Sequence, residues 1–229
     1  MILQKDRSSE WFVPKFGPMN FRLCCGILFL PYTGMVISFV AWGSFINNFS
    51  IERLVLICIL YFLALGVAAH CLDAIGSKNK PWGVLSKTKI MIVSFSSLFV
   101  ACFIGLYFAF LDSPLLFPIG VAELFCLFAY NLELFNGKFH NNLVFAISWG
   151  SLPVFAGSAI QTSFISVPEL MIAGAAFVLS YFLILASKKY KKLRQYSDFV
   201  AIKKQELILK ITSLGVIVFT ITYGILRYA

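Results

Sequence analysis

Apolar residues run through this chain in long continuous stretches separated by short polar ones. Seven such stretches predict helices, at Leu23 to Ile46, Leu54 to Ile75, Ile90 to Leu111, Leu115 to Leu134, Leu143 to Ile160, Leu170 to Ala186 and Leu207 to Tyr228. Each is about 17 to 24 residues long, which suits a hydrocarbon core of roughly 30 Å at about 1.5 Å per helical residue. A lipid-facing strand would alternate apolar and polar residues with period two, and these runs do not. The pattern predicts an all-α polytopic membrane helix bundle of about seven transmembrane helices. Residues 21–229 form one transmembrane domain, preceded by an N-terminal segment over residues 1–20.

Composition agrees: 60% of residues are hydrophobic and 13% charged, whereas a soluble domain carries about a quarter of its residues as charges. The segments flanking the seven stretches hold 4, 1, 4, 0, 1, 0, 8 and 1 Lys or Arg in chain order, with Lys210 and Arg227 assigned to the segments they adjoin. Only Arg53 and Arg227 of the 19 fall in even-numbered segments. Basic residues near spans stay on the cytoplasmic side, which predicts an integral membrane protein with its N-terminus cytoplasmic and its C-terminus outside. The net charge of +9 is juxtamembrane rather than gathered on a soluble domain, so it argues for membrane lipids and against nucleic acid as the partner. Six cysteines all fall within apolar stretches and read as small buried hydrophobes, not as disulfides or zinc ligands. The stretch before Met19 lacks an apolar signal-peptide core, so the first helix is expected to direct insertion.

Two polar segments carry expectations of their own. Trp11, Phe12, Pro14, Phe16 and Pro18 among Lys5, Arg7 and Lys15 make either an interfacial segment on the cytoplasmic leaflet or a frayed tail. The run from Ser187 to Glu206 is too polar to enter lipid and is expected as the longest loop. On the other side, Glu52, Arg53, Asp112 and Glu169 are the main charges of short external loops, which leaves little binding surface there.

On this topology, polar side chains from four helices converge toward one side of the membrane: His70 and Asp73, then Tyr130, Asn131 and Glu133, then Asn141 and Asn142, then Ser180 and Tyr181. His70 and Asp73 are three residues apart and share a helix face. They make an imidazole-carboxylate pair for proton transfer or metal binding, or a packing pair at a helix end. The whole collection forms a shared cavity, or is the ordinary polarity of helix ends. Glu123 sits mid-way along the fourth stretch, where an exposed carboxylate would cost roughly several kcal/mol. It is expected to be neutral or to face a partner, with Tyr130 two turns along as the candidate. Trp149 and Gly150 favour close helix approach, and Pro31, Pro118 and Pro153 kinks or helix starts.

The stretch Ala69-His70-Cys71-Leu72-Asp73-Ala74-Ile75-Gly76-Ser77-Lys78-Asn79-Lys80-Pro81 resembles the first Asp-rich motif of the UbiA superfamily of intramembrane prenyltransferases, NDxxDxxxD followed by a basic-Pro pair. Asp73 aligns with the central Asp, His70 stands at the second position, and Ala69 and Ser77 replace the Asn and the last Asp. Arg22, the Tyr130-Asn131 region and Trp149-Gly150-Ser151-Leu152-Pro153 with Gly157 extend the likeness over about Phe16 to Leu193. The resemblance implies a UbiA-like fold and transfer of a prenyl group from its diphosphate, held through magnesium, to a membrane acceptor. It implies catalytic or metal-binding roles for Asp73 and His70, and substrate or phosphate contacts for Lys80, Tyr130 and Asn131. The chain departs from the family in having seven stretches rather than nine, and cations where the second Asp-rich motif would stand.

That second position reads Lys188-Lys189-Tyr190-Lys191-Lys192-Leu193-Arg194. With one carboxylate left and His70 a poor substitute for Asp, magnesium affinity through Asp73 is expected to be weak. Lys188, Lys189 and Lys192 can instead bind diphosphate oxygens directly, or serve as a positive-inside anchor on anionic lipid. Two functions stay open. One is a divergent UbiA-like prenyltransferase. The other is a non-catalytic scaffold of that fold that binds a prenyl diphosphate or a quinone-type lipid, or an accessory subunit beside a membrane protein partner. The 25 Phe residues serve lipid contact, packing or an isoprenoid tunnel equally well.

Overall fold

A computed structural model describes residues 7, 10–46, 50–76, 82, 86–196 and 198–228. Among these it is all-helical: α1 Met19–Leu28, α2 Leu30–Phe45, α3 Ile51–Gly76, α4 Lys87–Leu111, α5 Leu116–Asn131, α6 Asn142–Thr162, α7 Val167–Tyr196 and α8 Phe199–Tyr228. Six helices are long and apolar enough to cross a membrane, with α1 and α2 counted as one. α5 is shorter, at 16 residues. At about 1.5 Å per residue it spans about 24 Å, less than a hydrocarbon core.

Three departures from the expected elements position the site. The first predicted span is broken at Phe29, whose backbone is left-handed (φ 47°, ψ 48°). That conformation is unusual for a bulky residue. Pro31 starts α2 directly after the break, because its fixed φ suits a first turn and it has no N–H to satisfy. Thr33 closes the break by donating its hydroxyl to the Leu28 carbonyl at 2.7 Å. The second departure is at the end of α5, which stops at Asn131 instead of continuing to Leu134. Glu133, Phe135 and Asn136 take positive φ, and a turn of 3-10 helix, Phe135–Gly137, follows.

The third is a correction: most of the polar run Ser187 to Glu206 is helix, not loop. α7 continues to Tyr196, and α8 begins at Phe199 with its first turn capped by Asp198, which accepts from the Ala201 N–H at 3.0 Å. Lys, Arg and Gln are good helix formers. A helix can therefore outrun its apolar stretch and project polar turns beyond the lipid.

α3 and α6 each contain a wide π turn, at Phe62–Ala69 and Ile147–Ser151. Neighbouring serines take up carbonyls along these turns. Ser97 donates to Leu63 O and Ser94 to Ala68 O, each at 3.1 Å, which ties α4 to α3. Pro153 has no N–H to offer the Trp149 carbonyl one turn back, and Ser180 of α7 donates to it at 3.2 Å.

α2 is the most enclosed helix and packs on α6 backbone to backbone. A Cβ added to Gly43 would lie 2.0 Å from Val154 O, and one added to Gly157 would lie 2.0 Å from Val40 O. Ser44 then reaches across to Gly157 O at 2.9 Å. Small residues serve this purpose between helices in lipid, where the hydrophobic effect gives helices little reason to associate. Gly150 packs likewise on α7, where a Cβ would meet Ala176 O at 2.7 Å, so the expected close approach is present.

At one end of the bundle, Arg53 grips Asp112 through two hydrogen bonds of 3.0 and 2.5 Å and donates to Ile160 O at 2.6 Å. Glu169 is fully buried and bonded by Ser158 and Ser166. These acids and this arginine tie helix ends together, which explains why short loops there carry charges.

Candidate functional site

At the other end a cavity of about 230 Å³ opens among α2, α3, α5, α6 and α7. His70 and Asp73 come from the last turns of α3, Tyr130 and Asn131 from the end of α5, and Lys188 from α7. Of the polar residues expected to converge, His70, Asp73, Tyr130, Asn131 and Glu133 line this one space together with Lys188, whereas Asn141, Asn142, Ser180 and Tyr181 do not line it. Asn131 is held by its own helix, donating to Leu127 O at 2.7 Å. Tyr130 stacks on His140 at 4.3 Å between ring centroids, and His140 Nδ1 lies 2.9 Å from Tyr130 O, so the turn after α5 folds back on the site. Asn142 accepts from Lys188 Nζ at 2.5 Å and orients it, while Asn141 caps α6 by accepting from the Val144 N–H at 3.0 Å.

His70 does not pair with Asp73. Its ring lies 5.4 Å from Phe29 and 5.1 Å from Trp149, centroid to centroid, and its Nε2 is buried without a hydrogen-bond partner. The left-handed backbone at Phe29 aims that ring at the imidazole. Phe145 stacks on Trp149 at 5.2 Å and completes an aromatic wall. Asp73 is half-buried and lines the same cavity as Tyr130 and Lys191.

The remaining expected residues fall elsewhere. Lys189 and Lys192 are exposed on α7 and do not line the cavity. The side chains of α7 that do are Leu183, Ile184, Ser187, Lys188 and Lys191. Their spacing of three and four is the face of a continuing helix, a signal hidden by reading this run as loop. Lys80 and Pro81 lie outside the described residues. Glu123 is far from this cavity. Its partner is Tyr61 of α3, which donates at 3.0 Å, rather than Tyr130 on its own helix.

Arg7, Tyr32 and His140 line the cavity and were not anticipated there. Arg7 is the least legible, since nothing periodic marks it. Its guanidinium sits over Phe29 at 5.1 Å and Trp82 at 5.3 Å, and Glu10 beside it, 4% exposed, pairs with Arg194 of α7. Trp11 lies under Lys210 of α8, 5.5 Å from its ring, and Val13 is buried. The segment over residues 10–13 is therefore packed against the bundle, whereas Lys15, Phe16 and Pro18 after it are exposed.

Chemically, the lining offers three cations, Arg7, Lys188 and Lys191, beside two carboxylates, Asp73 and Glu133. Magnesium prefers several oxygen ligands in near-octahedral array. Among the described residues no group of three or more His, Cys, Asp or Glu side chains is placed to hold a metal ion. The described lining residues do not fit a resident magnesium ion, and Arg7, Lys188 and Lys191 are of the chemical type that can meet anionic oxygens.

The fold and site together define an integral membrane protein of the all-helical class, with an aromatic cavity of mixed charge at one end. The chain matches no family model, no curated protein and no solved structure.

Proposed function

We propose that the chain is a UbiA-like prenyltransferase that takes the diphosphate head of a prenyl diphosphate into this cavity without metal. The observation that carries the reading is the meeting of Arg7, Lys188 and Lys191 with His70, Asp73 and Tyr130 around one aromatic-walled space. In this reading the cations neutralise the diphosphate as its bond to the allylic carbon breaks. The rings of Phe29, Trp149 and Phe145 face the positive charge left on the prenyl group. The acceptor forms a new bond to that carbon and loses a proton to the unpartnered His70 Nε2. Asp73 sets the charge around Tyr130 and Lys191. The cavity faces the cytoplasm, a placement supported by the positive-inside count, and α5 completes a seven-helix traverse that leaves the C-terminus outside.

A second reading is favoured by the lack of a metal-ligand group among the described residues. Here the same cavity binds the lipid head and releases it unchanged, and the chain serves as a scaffold beside a membrane protein partner.

The test is incubation of the purified protein, in lipid nanodiscs with EDTA, with radiolabelled geranylgeranyl diphosphate and a membrane lipid extract. Prenyl transfer in wild type, lost in Asp73→Asn and His70→Ala, supports the enzyme. Saturable binding without product, weakened in Lys188→Ala/Lys191→Ala, supports the scaffold. No preference for the diphosphate over geranylgeraniol overturns both.

A further inference from the structure

A second cavity, of about 190 Å³, lies between α3, α4 and α5 and shares no lining residue with the first. Its walls are almost wholly apolar, and one carboxyl, Glu123, belongs to them. Glu123 Oε1 accepts the Tyr61 hydroxyl at 3.0 Å, whereas Oε2 is buried without a partner. A buried polar atom left unmatched is a net cost to the fold. It persists most readily where a ligand supplies the missing bond.

Two further features say what that ligand is. Leu106, Phe117 and Val121 line the cavity and are exposed on the outer wall of the bundle, so the mouth opens toward the lipid. Gly120 also lines it, and a Cβ added there would meet nothing within 4 Å, so the backbone borders open space. The π turn of α3 passes alongside at Ala64 and Leu65, and such turns recur at functional sites.

The geometry points to a binding site for a membrane-soluble ligand with an apolar body and one oxygen, which enters from the lipid and bonds Glu123 Oε2: a hydroxyl by donating to it, or a carbonyl by accepting from the O–H of the neutral carboxyl. The inference does not rest on the proposed transferase. The apolar body fills the space beside Gly120, and Tyr61 holds the carboxyl so that its second oxygen faces the ligand. Volume alone would admit any lipid tail; the single unmatched oxygen selects for a matching polar atom.

The experiment uses the full chain in lipid nanodiscs with three matched probes: 2-undecanone, 1-undecanol and undecane. Infrared difference spectra report the Glu123 carboxyl, and thermal unfolding reports binding. The ketone or the alcohol is expected to shift the carboxyl band and raise the melting temperature saturably, with undecane weaker by roughly tenfold, about the worth of one hydrogen bond. Glu123→Gln should remove the band and weaken binding. Gly120→Leu, which occupies the cavity without touching the carboxyl, should abolish binding and keeps the test decisive if the Gln variant does not fold. Response to the ketone alone assigns a carbonyl ligand, and response to the alcohol alone a hydroxyl ligand. Equal binding of undecane, no carboxyl shift in wild type, or full binding by the Gly120→Leu variant would overturn the inference.

Discussion

Replacing Gly43 by Ala is expected to destabilise the bundle sharply, although the same change is mild in most helices. The added Cβ would stand 2.0 Å from Val154 O, 2.8 Å from Val154 C and 3.0 Å from Ser158 N, where ordinary contact begins at 3.4 Å. All three atoms are backbone, so no side chain can swing away and α2 must move off α6. That movement also lengthens the Ser44 bond to Gly157 O, now 2.9 Å. Overpacking of this kind costs about 1–3 kcal/mol and the strained hydrogen bond about 1 more. Against this, Ala is favoured over Gly in a helix by about 1 kcal/mol. The net loss is about 1–3 kcal/mol, or roughly 2–12 °C in melting temperature for a chain of this size. Gly174 and Gly215 are the controls, since a Cβ at either meets nothing within 4 Å. Their Ala variants should melt at or above wild type. The assay is thermal unfolding in a mild detergent, followed by circular dichroism. If the Gly43→Ala and Gly215→Ala variants melt together, the close α2 to α6 contact is not what holds the bundle.

Other expectations follow from the helix ends. The guanidinium of Arg53, hydrogen-bonded to Asp112, holds that carboxyl below its ordinary value of 3.8. Because the folded value is the lower one, the pair stabilises fully at neutral pH, and its contribution fades as the pH falls through the ordinary value and below. Melting temperature should therefore drop between pH 5 and pH 3 by more in wild type than in Asp112→Asn, and equal slopes would show that the pair contributes nothing. Glu10→Ala leaves Arg194 and Arg7 without their shared acid; breaking a buried pair costs about 3–5 kcal/mol. Limited proteolysis should then cleave between Glu10 and Met19 much faster than in wild type, and an unchanged rate would refute the docking of this segment. Phe29→Ala removes the ring between Arg7 and His70. It should change the fluorescence of Trp149, whose ring contacts that imidazole, while a Phe182→Ala variant on the exposed surface should not.

The apolar runs were enough to specify helices and their suitability for lipid, though not where α7 ends or α8 begins, because a backbone in hydrocarbon has to satisfy its own hydrogen bonds and helices do so locally. The same local rule let the ends of these helices be read for chemistry. His70, Asp73, Tyr130 and Asn131 sit in last turns, so knowing where helices stop was nearly enough to bring them together. Pro31 as a helix start and Gly150 as a close contact were legible for similar reasons, since each follows from the residue's own backbone restrictions.

What required the tertiary structure was every feature set by a residue distant in the chain. The left-handed kink at Phe29 has no local signature, for a bulky residue resists it; packing against Phe12, Tyr32 and His70 accompanies it. The partner of Glu123 proved to be Tyr61, 62 positions away, because carboxyl and hydroxyl meet across two helices whose rotation no single sequence states. Arg7 stands in the site beside Glu10, which pairs with both Arg7 and Arg194, and over the rings of Phe29 and Trp82. Lys191 rather than Lys192 faces the cavity because α7 keeps its helical phase past its apolar stretch. Hydrophobic period reports which segments leave water, whereas the azimuth of each helix is chosen by side-chain fit against its neighbours, and that fit exists only once the helices have packed.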